Sequence, residues 1–102
     1  MNKLFDQSKP RYETKGIHEK LDIIYRIIIW YLIEKLGKEM ELDYLQIFQL
    51  SCDDRSMKII HSQEEPSYER EYTIPITDEV ISGKIYVIDD GEYCTMLWVD
   101  EY

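Results

Sequence analysis

The sequence predicts an α+β fold: one long helix packed on an antiparallel, meander-like sheet of five to six strands, in a single domain spanning residues 1–102. Three observations point there. An apolar run of helical length, Lys20–Gly37, gives way to period-two alternation. Turn-like breaks then divide the remainder into short segments of strand length. Finally, a chain of 102 residues with 44% apolar content can bury one core without disulfide or metal staples, but not two.

"RYETKG" (Arg11–Gly16) alternates Tyr12 and Thr14 against charged residues, the pattern of a short edge strand. Ahead of it, residues 1–9 are expected to be loosely ordered. "KLDIIYRIIIWYLIEKLG" reads as one helix from its length and from charges that recur at helical spacing. Gly37 is placed to supply a left-handed C-terminal cap, with Lys35 and Lys38 at the negative end. At about 100° per residue, Leu21, Ile24, Tyr25, Ile28, Ile29, Leu32 and Leu36 share a broad face that should cover the sheet. Ile23, Ile27 and Trp30 fall on a second stripe. Exposing three such side chains forgoes roughly 1.5–3 kcal/mol each, so something should cover them: the N-terminal arm, a loop, a second copy of the chain in a homodimer, or a partner.

Five strands follow: "DYLQIFQL" (Asp43–Leu50), "MKIIHS" (Met57–Ser62), "YEREYTIPI" (Tyr68–Ile76), "GKIYVID" (Gly83–Asp89) and "EYCTMLWV" (Glu92–Val99). "CDDRS", "QEEPS" and "TDEVIS" connect the first four. Short turns between successive strands predict antiparallel neighbours. Between the last two strands, Asp90-Gly91 is a favoured two-residue hairpin turn. It places Asp89 opposite Glu92, Val87 opposite Cys94, Ile85 opposite Met96 and Gly83 opposite Trp98. A three-residue turn with Gly91 in a bulge is the alternative, because it relieves the like charges of Asp89 and Glu92.

"ELDYLQIFQL", "KIIHSQEEPSYEREY" and "GKIYVIDDGEYCTMLWVDEY", in this order after "RYETKG" and an apolar helix, resemble a small family of Firmicute proteins called domain of unknown function 960. The resemblance covers Arg11–Tyr102. It implies an accessory gene of mobile elements, of the kind carried on phages and staphylococcal chromosomal cassettes. It brings no activity, cofactor or catalytic residue, so function is argued from the residues themselves.

The net charge of −9 is unevenly placed: residues 1–63 hold ten acids and ten bases, residues 64–102 eleven acids and two bases. Direct binding to nucleic acid needs clustered Lys and Arg, which this pattern lacks. A basic protein partner would be attracted instead. Glu69, Glu71, Asp89, Asp90 and Glu92 are the candidate contacts, with Tyr86 and Tyr93 as amphipathic anchors among them. Carboxylates held at strand and turn positions imitate a run of phosphates, so the first reading is an acidic interaction protein that mimics nucleic acid and inhibits or binds a basic nucleic-acid-processing protein; the alternative is a homodimeric structural or scaffold protein that uses the Ile23, Ile27 and Trp30 stripe.

Catalytic chemistry has little to stand on. His61 is in phase with Met57 and Ile59, where a satisfied, half-buried histidine is the ordinary occupant, and His18 sits at a helix start. Cys52 and Cys94 form no CxxC or Cys/His pattern. A small hydrolase using Asp89, Asp90, Glu92 and a divalent metal is the weakest reading, since no EF-hand or other ligand spacing accompanies them. The expectation is therefore no enzyme, metal or cofactor. Leu21–Leu36 carries Asp22, Arg26 and Glu34, too many charges for a membrane span, and the sequence reads as a soluble cytoplasmic protein.

Overall fold

Asp22 decides where the main helix begins. The computed structural model describes residues 3–53, 55–75 and 81–102, and the run read as one helix, Lys20–Gly37, forms α2, Ile23–Gly37, preceded by an unexpected short helix, α1, Lys15–Lys20, whose first two residues fall in the expected Arg11–Gly16 edge strand. Leu21 and Asp22 lie outside both helices, and the Asp22 carboxylate accepts the Ile24 N–H at 3.1 Å as the N-cap of α2. A short acceptor there satisfies an N–H that helix geometry leaves without a partner. α1 starts in the same way, with Thr14 Oγ1 accepting the Ile17 N–H at 3.2 Å. Gly37 does not form the expected left-handed cap, because α2 runs into Lys38 in a right-handed conformation. Its lack of a side chain instead makes room for Leu42, whose Cδ1 would lie 3.1 Å from an added Cβ.

The strands are β1, Arg11–Glu13; β2, Leu45–Cys52; β3, Ser56–Gln63; β4, Tyr68–Pro75; β5, Gly83–Asp89; and β6, Cys94–Trp98, which leads into a 3-10 turn, Val99–Glu101. Alternation located them well; it did not predict their arrangement. Most of the connection read at Thr77–Ser82 lies outside the described residues. The sheet order is β1-β6-β5-β2-β3-β4. β2-β3-β4 is a meander and β5-β6 a hairpin, but β5 docks on β2, and β1 joins parallel to β6. The sheet is therefore mixed rather than a continuous antiparallel meander. Short turns specify hairpins, whereas the docking of one hairpin on another is decided by which faces they can bury together.

Neither expected register of the last hairpin occurs. Asp89 pairs with Cys94, Val87 with Met96 and Ile85 with Trp98, leaving four residues in the turn. The shift from the two-residue-turn register is two positions. Side chains alternate with period two, so Ile85, Val87, Cys94, Met96 and Trp98 still share one buried face.

That face, with Phe48, Leu50, Met57 and Ile59, packs against Tyr25, Ile29, Leu32, Ile33 and Leu36 of α2. Both edge strands reach the helix. Arg11 and Glu13 of β1 bond Glu34 and Trp30 at 2.8 and 2.9 Å, and Lys35 lies 5.9 Å from the Tyr72 ring of β4. The sheet is thus curved around α2. The arm before β1 is also held, contrary to expectation: Phe5 and Lys9 are both buried.

Gly83 marks the tightest point of the sheet. Its φ is +152°, and a Cβ there would lie 2.9 Å from Cζ3 of the Trp98 ring. Gly83→Ala should lower stability by about 1–3 kcal/mol, read as a drop in the urea midpoint at unchanged m-value. Gly91, at φ +103° in an open turn with nothing within 4 Å, should tolerate Ala with a smaller loss.

Candidate functional site

The helices cover one side of the sheet, and the residues that alternate outwards form the other. Strand registers set them in rows. One row runs Tyr12, Thr95, Ile88, Leu45; the next runs Leu97, Tyr86, Ile47, Ser62, Glu69; a third runs Lys84, Gln49, Ile60, Glu71. Across β1, β6, β5 and β2 this open face is largely aliphatic and aromatic. Two aromatic pairs tile it: Tyr12 meets Tyr93 edge-on at 5.5 Å, and Tyr86 meets Tyr102 edge-on at 5.7 Å. Tyr12, Tyr93 and Tyr102 are exposed, and Leu45, Ile47, Tyr86, Ile88 and Leu97 are half-buried; contiguous apolar surface left partly open in this way usually marks a contact site.

Charge is sorted around it. The β3–β4 and β5–β6 turns lie at the end of the sheet where β2 begins, and Glu64, Glu65, Asp90 and Glu92 in those turns are exposed. Glu69 and Glu71 line the outward side of β4, also exposed. Lys58 and Lys84 sit towards the opposite end. Of the seven residues expected to form an acidic surface, Glu69, Glu71, Tyr86 and Tyr93 lie on this one face, and Asp90 and Glu92 lie at its end. Charges on an edge strand such as β4 also oppose edge-to-edge pairing of sheets.

Asp89 is the exception. It faces the core at 4% exposure because the four-residue turn keeps it in phase with Ile85 and Val87. One carboxylate oxygen accepts the Phe5 N–H at 2.7 Å and the Lys9 ammonium at 2.9 Å, and the other accepts the Gly91 N–H at 2.7 Å. Burial raises its pKa, but the bonds from Lys9, Phe5 and Gly91 outweigh that and hold it below the usual carboxylate range. Asp89 is a structural anchor, not a surface contact.

Trp30 also departs from expectation. It is buried, and its Nε1 donates to Glu13 Oε2 at 2.9 Å while Arg26 donates to Glu13 Oε1 at 2.8 Å. Burial raises the Glu13 pKa, and the bonds from Trp30 and Arg26 more than reverse it. Ile23 and Ile27 do stand in solvent, at 60% and 56%, joined by Tyr31 at 58% and Ile24 at 42%. The stripe is therefore Ile23, Ile24, Ile27 and Tyr31. The core face is rotated from the expected one because the curved sheet meets the helix at Trp30 and Ile33 rather than at Ile24. Burying such a side chain fully is worth roughly 1.5–3 kcal/mol, so the stripe forgoes several kcal/mol.

Inside the fold, a polar chain crosses the apolar core. His61 Nε2 donates to Gln46 Oε1 at 2.6 Å, Gln46 Nε2 donates to Gln63 Oε1 at 2.7 Å, and Gln63 Nε2 reaches the Glu41 and Pro66 carbonyls. The amide orientations fix His61 as the neutral Nε2–H tautomer, with Nδ1 unpartnered. Its ring stacks on Phe48 at 4.3 Å. The sequence carried a signal for this chain: Gln46 and Gln63 are in phase with the buried positions of their strands. Burial also pushes the Cys94 thiol up to about 11, helped by the Asp89 charge, which makes it a poor nucleophile. Among the described residues, no three His, Cys, Asp or Glu side chains converge as a metal site would require, and no helix is long and apolar enough to cross a membrane.

Two predictions follow from these buried groups. Burial pushes His61 from 6.5 down to about 4. The unfolded chain therefore takes up this proton first, so the His61 contribution is complete above pH 6.5 and is lost as pH falls towards 4. Urea unfolding should show a loss of about 2 kcal/mol between pH 7.5 and 5, flattened in His61→Gln. Asp89→Ala leaves a buried ammonium and two N–H groups without their acceptor, and should cost about 3–5 kcal/mol in the same assay.

Comparison with known proteins is consistent with this fold. A family model described as a staphylococcal protein of unknown function (DUF960) matches residues 10–101. A crystal structure of a protein of unknown function from Enterococcus faecalis is 28% identical to the chain, with a TM-score of 0.87, over 100% of this chain and 98% of that one. Among curated proteins, none matches.

Proposed function

The chain belongs to the DUF960 family, and from the surface its fold leaves open we propose that it is a non-enzymatic interaction protein that docks the open sheet face on a basic protein. The single observation that carries the reading is the apolar centre of that face, Tyr12, Leu45, Ile47, Tyr86, Ile88, Tyr93 and Leu97, bordered by Glu69, Glu71, Asp90 and Glu92. Apolar and aromatic side chains at the centre supply affinity, and a charged border supplies steering and register. The net charge of −9 selects basic partners over acidic ones. Proteins that bind nucleic acid are the natural class, since their surfaces are already arranged to hold negative charges at regular spacing.

The proposed docking has two stages. Carboxylates at the turns and along β4 attract a basic surface from a distance, an effect that salt screens beyond about 8–10 Å. The tyrosines and aliphatics then exclude water at the centre. Tyr12 and Tyr93 are exposed, so their removal leaves the fold intact.

Pull-down from a staphylococcal lysate tests the reading directly. Wild-type protein should retain a basic protein at low salt and progressively less of it as salt rises. Tyr12→Ser/Tyr93→Ser and Glu69→Lys/Glu71→Lys should each reduce its recovery by roughly tenfold or more. Recovery of no basic protein, or undiminished recovery by both variants, would sink the proposal.

A further inference from the structure

We infer that the free edge of β4 takes an extended segment of the basic protein as an added antiparallel strand, one whose residues alternate basic and apolar. The added strand rests on the reading above for the partner's positive charge and supplies a grip beside the open face. β4 is the last strand on its side of the sheet and is eight residues long. The opposite edge strand, β1, has three residues and is tied to α2 through Arg11 and Glu13. A long free edge is a template for one more strand.

The phase of the ladder shows which groups this edge presents. Asp53 N–H donates to the Ser56 carbonyl at 3.0 Å, one step beyond the Cys52–Met57 pair. Bonded and non-bonded pairs alternate along an antiparallel ladder. Lys58, Ile60 and Ser62 therefore turn their N–H and carbonyl groups to β2, and Met57, Ile59 and His61 turn theirs to β4. On β4, Ile74, Tyr72 and Arg70 meet them, so Glu69, Glu71 and Thr73 point their backbone groups out from the edge. Pro75 falls in the same outward phase, where the ladder needs no N–H from it.

These residues also fix the chemistry of the incoming strand. A residue opposite Glu69 or Glu71 lies on the same side of the sheet, so Lys or Arg there forms a cross-strand ion pair. The residues between fall on the helix side, beside Tyr72 and Ile74, which are half-buried against the core. Apolar side chains there extend that core. The β4 edge of a second copy is turned away, because Glu69 and Glu71 of one chain would meet the same carboxylates of the other.

Amide hydrogen exchange on the full chain is the test, with an acetylated and amidated octapeptide of alternating lysine and valine as the probe. Saturating peptide should slow exchange at Glu69, Glu71 and Thr73 by roughly tenfold or more, with little change at Arg70 and Tyr72, whose N–H groups already face β3. Lysine N–H groups of the paired strand face β4, and valine N–H groups face away. N-methylation of the lysine amides should therefore abolish binding, whereas N-methylation of the valine amides should preserve it. Thr73→Pro, in phase with Pro75, should keep the fold and weaken binding roughly tenfold. Equal binding by the two methylated peptides, or binding that leaves the three edge amides unprotected, would overturn the inference. The lysate separates this grip from docking on the open face. A basic protein lost by Tyr12→Ser/Tyr93→Ser but fully recovered by Thr73→Pro, with no peptide bound, removes the added strand and leaves the docking. Protected edge amides with no basic protein recovered leave the strand site and remove the docking.

Discussion

The Asp89 carboxylate is the interaction on which the remaining architecture depends. A carboxylate in an apolar interior is tolerable only when its charge and lone pairs are answered, and this one is answered by three groups from two distant parts of the chain. The Gly91 bond shapes the β5–β6 turn. The Lys9 and Phe5 bonds hold the arm, which carries the Phe5 ring into the core and delivers β1 to β6, where Cys94 N–H donates to the Pro10 carbonyl at 2.9 Å. Phe5 adopts φ +58° to do so, a conformation that costs a bulky residue roughly 1–2 kcal/mol, and the charge-assisted bond at its N–H offsets that cost.

The second buried carboxylate, Glu13, plays a parallel part on the helix side. By receiving Trp30 and Arg26 it turns one flank of α2 towards β1, and the curvature of the sheet brings β4 to the other flank. With both flanks occupied, the helix has one direction left open, and the Ile23–Tyr31 stripe lies along it. The sheet has the converse geometry: its concave side is filled and its convex side is bare. Two unrelated apolar surfaces therefore remain, each the complement of a buried one, and the acidic residues collect beside the second rather than the first.

Much of this was legible in the sequence, and the parts that were not share a cause. Strand positions followed from alternation, and the core face of the last hairpin survived a misjudged register because parity was preserved. The role of Asp89 was not legible: its neighbours Asp90 and Glu92 are exposed, and only the partner residues Phe5 and Lys9, 84 and 80 positions away, make it an interior group. Trp30 was misplaced for the same reason, since its burial is decided by Glu13 of β1 rather than by helical periodicity. Asp22 as an N-cap was within reach, being a short acidic residue directly before an apolar run. Local rules placed the elements, and long-range polar contacts decided which surfaces stayed outside.

The parallel pairing of β1 with β6 has a further consequence for how the chain comes into being. β1 finds its strand partner only in residues near position 95, and the chain just after it is tied there too: Thr14 bonds Met96 and Glu101, and the Gly16 carbonyl accepts the Trp98 indole. A ribosome adding about 5–20 residues per second leaves the arm, β1 and the start of α1 waiting several seconds for them. Throughout that interval α2 and the β2–β4 meander can assemble, but one side of the nascent core stays uncovered. The β1 edge of the sheet is thus the last to close, after the rest of the fold has had time to assemble.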